Sequence, residues 1–525
     1  MTIQVTPELP RKQVAWCNSA PPPEAADVFE RRGYKVIPDL SEEDLRSLPY
    51  MSGVGAVVFT QSSTKPSLVT RQLTDHLQRL LDLDCRVIVQ PFRVGDRSIQ
   101  NTLENLLPRG RPATDQQGNP PLPYPRVYEP TVGWDEIANF VMENPPGPPP
   151  KLTLEIEFED KLEETQGAVL LIRRAFWECT VVHLSRLDEG RSQGVRVYKA
   201  CVAKNGIVGP WLQPYFVKIG PRRTIYTEFE NYELYVEGCI PFHLGPRVVR
   251  HRCCLGATEG IMVGHYVDES ESLNQCAFDG RSTAALAGLF DRTLIGWHRS
   301  GRREDRPFAG PLLRYFPRTI NADRLSRAKQ LGATLDLTAL RTLFEKCQDA
   351  PVLVGRTHGD LHAANVRIRA NDAVVIDFYA HRDNQPLILD AATLEASLLV
   401  DGFGAAPPTK GRIKKADLKA WFDSVHSLYK GEVLPIDVSP KENPKSKSFW
   451  FHSCVGQIRR QAREWAFTSN QYAAALALAL LVKAKKDPNV PEPEATRRAA
   501  AYVFAERLLV TAFGGSVVPS SGGGA

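Results

Sequence analysis

Residues 358–365 are His358-Gly-Asp-Leu-His-Ala-Ala-Asn365, and a predicted strand soon after them ends in Val374-Val-Ile-Asp377-Phe378. Four fixed polar or glycine positions of this kind arise by chance in such a chain with a probability on the order of 10⁻³. The first loop carries Asp360 and Asn365 five residues apart. A following hairpin returns Asp377, so we expect these three side chains to come together in one site.

These three side chains match the requirements of phosphoryl transfer from ATP. A carboxylate must orient and deprotonate the accepting hydroxyl, and Asp360 is the candidate catalytic residue for this step. Oxygen ligands must hold Mg²⁺ against the β- and γ-phosphates, and Asn365 and Asp377 are the candidate metal ligands. The pattern therefore predicts ATP and Mg²⁺ as cofactors.

The loop H-G-D-x-x-x-x-N at 358–365 resembles that of the aminoglycoside phosphotransferase and choline-kinase-like branch of the protein-kinase fold, in which protein kinases have H-R-D. The resemblance covers residues 180–400 and extends toward residue 515. It implies a two-lobed α+β kinase-like fold, with a small five-stranded β lobe at 151–268 and a large helical lobe at 269–515 that contains the catalytic loop.

The resemblance also implies a lysine on the third strand that contacts the α- and β-phosphates. Lys218, in Phe216-Val-Lys-Ile219, occupies that position, although a lysine at a strand end is often only solvated. Its ion-pair partner should lie on the next helix, predicted at 224–239. Glu228 falls within the apolar arc of that helix and is favoured as the partner, with Glu233 as the alternative.

Two further segments are candidate nucleotide contacts. Gly190, Ser192 and Gly194 lie in a hairpin that departs from G-x-G-x-x-G. Its backbone amides could cradle a phosphate, but a plain turn explains these residues equally well. Residues Met262 to Tyr266 are expected to be the hinge whose backbone meets adenine, with Val263 and His265 as the candidate contacts.

Three other polar residues need an interpretation. His358 is expected to support the catalytic loop by hydrogen bonding rather than by taking protons. Asp390 precedes a predicted helix, so it is either an N-cap or the family's aspartate that braces the site. Arg459 and its basic neighbours on a late helix form either a solvated face or a surface for an anionic substrate.

The N-terminal part predicts a different domain. Residues 1–107 alternate short apolar strands with helical patterns, which resembles a small α/β receiver or flavodoxin-like domain. The strand ends hold Cys17-Asn18 and Phe59-Thr60 where a receiver needs its acidic pair and phosphoacceptor aspartate. Pro-rich stretches and a short helix predict a linker at 108–150, so we expect an independently folded domain that nucleotide binding does not require.

Composition limits the class of protein. The chain has 525 residues, 24% charged residues and a net charge of only +5, which makes no case for a dedicated nucleic-acid binder. It contains no apolar stretch of the roughly 20 residues that cross a membrane. Ten scattered cysteines and an N-terminus without signal-peptide features favour the cytoplasm. The Gly- and Ser-rich tail 516–525 is expected to be disordered.

The sequence therefore predicts an ATP- and Mg²⁺-dependent phosphotransferase that acts on a hydroxyl of an unidentified small molecule or protein. The coupling of the two halves resembles phosphotransferase modules of bacterial signalling or conflict systems. The N-terminal domain is expected to have a regulatory or docking role, through which a protein partner could bind. The alternative is a nucleotide-binding sensor or scaffold with little catalysis. Retention of Lys218, Asp360, Asn365 and Asp377 together favours the enzyme.

Overall fold

The computed structural model divides the chain into two compact units. Unit 1 consists of Met1–Glu230 and Arg247–Tyr266, and unit 2 of Asn231–Pro246 and Val267–Ala525. The structure describes residues 11–17, 20–47, 51–60, 75–91, 93–94, 125–159, 164–187, 194–204, 214–402, 415–430, 432–434, 448–485 and 494–514.

Five parallel strands form the first sheet of unit 1, in the order β2-β1-β3-β4-β5. This is the strand order of the doubly wound flavodoxin-like sheet. The central strands are apolar on both faces, as expected when helices cover both sides. The strands are β1 (Gln13–Cys17), β2 (Lys35–Leu40), β3 (Val54–Thr60), β4 (Arg86–Gln90) and β5 (Arg126–Val127).

Helices cover both faces of this sheet, and together they form the α/β layer. Because side chains alternate along a strand, Val14 and Trp16 pack on one face and Ala15 and Cys17 on the other. The helices are α1 (Pro23–Arg31), α2 (Glu42–Arg46), α3 (75–82) and α4 (Trp134–Glu143). Helices α1 and α4 lie on the first face, and α3 lies on the second.

The α/β layer extends beyond the boundary predicted at residue 107. Both β5 and α4 lie in the segment 108–150, which the sequence predicted to be a linker. Ile137, Ala138 and Val141 of α4 are completely buried against the first sheet. Apolar spacing indicated the helix, but its burial against distant strands could not be deduced from local Pro-rich composition.

The second sheet of unit 1 has six strands, one more than predicted, in the order β10-β11-β9-β8-β7-β6. They are β6 (Glu155–Phe158), β7 (Val181–Arg186), β8 (Arg196–Ala203), β9 (Tyr215–Pro221), β10 (Cys254–Leu255) and β11 (Glu259–His265). All neighbours are antiparallel except β6 and β7. Two helices belong with it, α5 (Gln166–Ala175) and α6 (Arg222–Asn231). The helix predicted at 224–239 thus ends at Asn231, and a π-helical turn, Tyr232–Val236, continues it in unit 2.

The α/β layer and the second sheet share a buried core. Arg174 of α5 forms an ion pair with Asp84 (2.9 Å), and its side chain is only 2% exposed. Asp84 also pairs with Arg86 at the start of β4 (2.6 Å) and accepts the backbone N–H of Gly147. A buried ion pair is strongly destabilising to break, because the remaining charge loses its partner. This packing argues against the expectation that the N-terminal domain can be removed without effect.

Unit 2 is mainly helical, as predicted. Its helices are α7 (Leu273–Phe278), α8 (Ser282–Gly288), α9 (Ile295–His298), α10 (Ala309–Leu312), α11 (Ala322–Gln330), α12 (Leu337–Glu345), α13 (Ile388–Val400), α14 (Lys415–Val425), α15 (Phe449–Trp465), α16 (Ser469–Lys485) and α17 (Glu494–Phe513). Nearly every described side chain of α13 is buried, because α15 and α16 pack on it. None of the described helices of either unit is long and apolar enough to span a membrane.

A buried polar cluster lies in the core of unit 2. Arg459 of α15 donates two hydrogen bonds to the carboxylate of Glu395 in α13, at 3.1 and 2.6 Å. Tyr472 of α16 donates to the same carboxylate at 2.8 Å. Arg459 is therefore neither a solvated residue nor part of a substrate surface, and both sequence-based interpretations of it are wrong.

Two small three-stranded sheets interrupt the helices of unit 2, in the orders β12-β15-β16 and β13-β14-β17. The strands are β12 (Glu271–Ser272), β13 (Arg302–Glu304), β14 (Val352–Thr357), β15 (Val366–Arg369), β16 (Asp372–Val375) and β17 (Arg382–Pro386). The loops between β14 and β15, and between β16 and β17, contain the candidate catalytic residues.

Candidate active site

The candidate catalytic loop, residues 358–365, begins where β14 ends and closes in a 3₁₀ turn, Ala363–Asn365; it is called the catalytic loop below. The side chain of Asp360 is 41% exposed, and its Oδ2 lies 3.8 Å from Nε2 of His362. Asn365 donates its amide Nδ2 to the backbone oxygen of Asp360 at 3.1 Å. This hydrogen bond ties the two ends of the loop together and leaves the amide oxygen of Asn365 as the atom that could bind a cation.

The hairpin predicted to return Asp377 is present. Strands β15 and β16 pair antiparallel, with Val366 opposite Val375. The N–H of Ile376 then donates to the backbone oxygen of Asn365 at 2.9 Å. The main chain of Asn365 is therefore hydrogen-bonded to the residue that immediately precedes Asp377.

Asp377 has a left-handed backbone conformation, with φ of 66°. After glycine, aspartate and asparagine are among the residues that adopt this conformation most often. Asp377 lies two positions after Val375, the last residue of β16.

The backbone conformation and the space at position 359 require a glycine. Its φ is +78°, and a Cβ atom added there would lie 2.0 Å from the backbone oxygen of Ala380. No larger residue fits between Asp360 and the strand end without moving the chain. This explains the glycine at the second position of the His-Gly-Asp sequence.

Asp390 fixes the catalytic loop from α13. Its carboxylate accepts the N–H of His358 at 2.7 Å and the N–H of Gly359 at 3.1 Å. It lies inside α13 and its carboxylate bonds the loop, so the N-cap interpretation is wrong and the bracing role is the one observed. Burial raises the pKa of this carboxyl from 3.8 to about 6, against the opposing effects of His358 and the two N–H donors.

His358 links the catalytic loop to the strand before Asp377. Its ring is fully buried, and Nε2 lies 3.0 Å from the backbone oxygen of Ile376. Because a carbonyl oxygen only accepts, the proton of this hydrogen bond is on Nε2. The ring also packs near Phe378, at a centroid distance of 5.5 Å. These contacts are those of the predicted structural support.

His381 is a buried residue that sequence reasoning missed. Its ring stacks on Tyr235 at 4.2 Å and lies 4.7 Å from the ring of Trp297. Burial and the positive charges around it lower its pKa to about 3, so it is neutral at physiological pH. A lone histidine after the catalytic hairpin gives no signal of this packing, because both partners are distant in the sequence.

In unit 1, Lys218 and Glu228 form a buried ion pair. Nζ of Lys218 lies 2.5 Å from Oε2 of Glu228, and the two side chains are 9% and 3% exposed. Lys218 stands on β9 opposite Met262 of β11, and Glu228 stands on α6. The structure thus selects the glutamate that the helical pattern favoured.

The other predicted nucleotide contacts are the hairpin residues Gly190, Ser192 and Gly194 and the hinge residues Val263 and His265. Gly190 and Ser192 lie outside the described residues, and Gly194 occupies the end of that hairpin with φ of 83°. The N–H of Val263 donates to Sγ of Cys253, and the backbone oxygen of Val263 accepts from the N–H of Val249. The N–H of His265 donates to the backbone oxygen of Arg247. These three backbone groups already have partners within unit 1, and the adenine contact of Val263 and His265 stays a prediction.

The donor set also limits the kind of metal site. Among the residues that the structure describes, no group of three or more His, Cys, Asp or Glu side chains could hold a metal ion. Mg²⁺ commonly takes one or two protein oxygens and completes its shell with water and phosphate. One carboxylate from Asp377 and one amide oxygen from Asn365 fit such a partial set.

Residues 213–403 match the model of the phosphotransferase enzyme family, APH. This segment includes Lys218, Glu228 and the whole catalytic loop. The resemblance stated from the catalytic loop is confirmed by this match.

Among solved structures, the chain is similar to amicoumacin kinase hAmiN in complex with AMP-PNP, Ca²⁺ and Ami, at 12% identity over 62% of this chain and 87% of that chain, with a TM-score of 0.35. It is also similar to an aminoglycoside phosphotransferase from Streptomyces rimosus, at 16% identity over 55% and 97% of the two chains, with a TM-score of 0.28. A third is an ethanolamine kinase from Plasmodium vivax, at 9% identity over 62% and 81%, with a TM-score of 0.30. The chain has no match among curated proteins.

Proposed function

We propose that this protein transfers the γ-phosphate of ATP, with Mg²⁺, to a hydroxyl group of an acceptor. The observation that carries the proposal is the catalytic loop. In this loop a partly exposed Asp360 follows Gly359, a position that leaves no room for a side chain, and Asn365 is hydrogen-bonded to the backbone of Asp360. The buried carboxylate of Asp390 accepts backbone N–H groups of the loop and fixes its position.

Each proposed role follows from the chemistry of the side chain. Asp360 accepts a hydrogen bond from the acceptor hydroxyl and takes its proton as the new P–O bond forms. Asn365 and Asp377 provide oxygen ligands for Mg²⁺, which would supply positive charge to the transferring phosphoryl group. Lys218, oriented by Glu228, contacts the α- and β-phosphates. The γ-phosphoryl group leaves ADP and binds the acceptor oxygen, so no covalent enzyme intermediate is needed.

The compartment and the N-terminal domain are also proposals. All ten cysteines belong to described residues and none of them forms a disulfide bond, which favours a reducing compartment such as the cytoplasm. We propose that the α/β layer is receiver-like in fold but is not switched by aspartyl phosphate, because Cys17 and Thr60 occupy the ends of its first and third strands. A regulatory or partner-binding role remains for it.

The acceptor can be sought directly. ATP consumption by the purified full chain is measured with pooled metabolites and with cell-lysate proteins, beside the Asp360→Asn variant. The proposal predicts that at least one pool raises ADP formation by the wild type and leaves the variant unaffected. ADP formation that is equal in both proteins would contradict the assigned role of Asp360.

A further inference from the structure

The α/β layer contacts the turn between β10 and β11 through the carboxylate of Asp82 and through an apolar contact of Ala257. Asp82, at the end of α3, accepts the backbone N–H of Ala257 at 2.8 Å. A Cβ atom on Gly256 would lie 2.4 Å from the same carboxylate oxygen, so the two groups approach as closely as a glycine allows. Ala257 is 3% exposed and packs in the hydrophobic core of the α/β layer, beside Leu83 and other residues.

The same turn also holds the beginning of α6. The backbone N–H of Arg222, the first residue of α6, donates to the oxygen of Thr258 at 2.8 Å. The guanidinium of Arg222 donates to the backbone oxygen of Gly256. Six residues further along this helix, about 9 Å at 1.5 Å per residue, Glu228 pairs with Lys218. The turn is thus bonded to the α/β layer on one side and to the helix of the ion pair on the other.

Asp82 is itself held in place. Arg174 donates to the backbone oxygen of Asp82 at 2.9 Å and pairs with Asp84, two residues later. The Asp82 residue is 5% exposed. A carboxylate that is buried, backbone-anchored and close-packed against a glycine cannot change its position without moving the turn.

We propose that Asp82 is a positioning residue through which the α/β layer sets the position of α6, and with it the Lys218–Glu228 ion pair. This inference rests on the proposed function in one respect, namely that the ion pair serves ATP binding. A signal received by the α/β layer would then reach the nucleotide contact by moving one turn.

The contrary view is that the second sheet holds the turn without help. The N–H of Gly256 donates to the oxygen of Glu259 at 2.8 Å, so the turn has a hydrogen bond of its own. The two views differ in what happens to α6 when the Asp82 carboxylate is removed.

Hydrogen exchange of the full chain separates them. In Asp82→Ala, we expect amide exchange in peptides that cover α6 to rise about tenfold or more, because local opening becomes easier. Peptides that cover α13, in unit 2, serve as an internal reference. Asp82→Asn keeps an oxygen that can accept from Ala257 and should remain within about threefold of the wild type. Asp27→Ala removes an exposed carboxylate from α1 of the same layer and should change nothing.

If Asp82→Ala fails to fold, Gly256→Ala perturbs the same contact from the other side, because its methyl group would meet the carboxylate. Unchanged α6 exchange in a folded Asp82→Ala or Gly256→Ala protein would overturn the proposal. So would equal increases in α6 and α13, which would indicate general loosening.

Mg-ATP affinity gives the second readout. Asp82→Ala should raise the dissociation constant for Mg-ATP about tenfold in the wild-type background. In the Glu228→Gln background it should raise this constant by less than about twofold, because both substitutions act through the same ion pair. If the two substitutions raise the dissociation constant independently, so that their fold-changes multiply in the double variant, the proposed coupling between Asp82 and the ion pair is overturned. If the wild type binds no Mg-ATP, the proposed function fails, while the exchange measurement still decides whether Asp82 positions α6.

Discussion

Replacement of Gly359 by alanine tests whether the backbone of the catalytic loop is as constrained as the structure indicates. The residue has φ of +78°, and a left-handed conformation costs an L-residue about 1–2 kcal/mol. The added Cβ would also lie 2.0 Å from the oxygen of Ala380, and such overpacking costs about 1–3 kcal/mol. We expect Gly359→Ala to be destabilised by about 2–5 kcal/mol in all.

Gly280→Ala is the matched control. Gly280 also lies in unit 2 and has φ of +73°, but no heavy atom lies within 4 Å of an added Cβ. It should therefore lose only the conformational part, about 1–2 kcal/mol. Thermal unfolding of the two variants and the wild type measures the difference, and ADP formation from Mg-ATP measures the consequence for catalysis.

The activity of Gly359→Ala should fall by roughly 10²-fold, because a shift of about 1 Å in the loop misplaces Asp360. Gly280→Ala should retain the turnover of the wild type. Equal stability and equal activity in the two variants would refute the argument, since the contact with Ala380 would then have no effect.

Three further substitutions have defined outcomes. Arg459→Met should lower the free energy of unfolding by about 3–5 kcal/mol, because it leaves Glu395 buried without its cation; Arg460→Met, at an exposed neighbour, should be nearly neutral by the same denaturation assay. Asp390→Asn should flatten the pH dependence of unfolding between pH 3.8 and about 6. In this pH range the raised pKa makes Asp390 of the folded wild type bind its proton more tightly than the unfolded chain does, so the stability of the wild type falls as pH rises. The same pH dependence in Asp390→Asn and the wild type would show that Asp390 does not titrate in this range. Asp377→Ala should abolish the stabilisation by Mg-ATP, worth about 2.7 kcal/mol at a hundredfold excess over the dissociation constant; equal thermal shifts with the wild type would remove Asp377 from the metal site.

The local parts of the site could be predicted from the sequence. Asp360, Asn365 and Asp377 are separated by short segments, and a hairpin needs only a turn and alternating apolar residues to form. The pairing of Lys218 with Glu228 could also be predicted, because an α-helix has a fixed period and only part of its surface faces the sheet.

Long-range packing could not be predicted in the same way. Nothing near Ala257 indicates that it packs in the core of the α/β layer, and nothing near Asp82 indicates a partner 175 residues away. Arg459 looked like a surface residue because its own helix is basic. Its partner Glu395 lies on a helix whose local sequence gives no reason to pair the two residues.

Backbone hydrogen bonding at the predicted hinge could not be deduced from the sequence. A hinge requires available backbone groups and no particular side chain, so the side chains of Val263 and His265 do not reveal it. The N–H groups of Val263 and His265 bond to Cys253 and Arg247, in a neighbouring segment whose pairing with this strand the local sequence does not specify.

A single-turnover comparison of the wild type with Asp360→Asn tests the central claim most directly. The purified full chain is mixed with limiting γ-labelled Mg-ATP, and ADP, transferred label and particle mass are followed together. We predict that the wild type releases ADP, by transfer to water or to itself when no acceptor is present, and that Asp360→Asn binds Mg-ATP nearly as well but releases at least about 10²-fold less ADP. Retention of intact ATP by the wild type for hours, with a nucleotide-dependent change in mass, would contradict the claim and identify a nucleotide-gated scaffold.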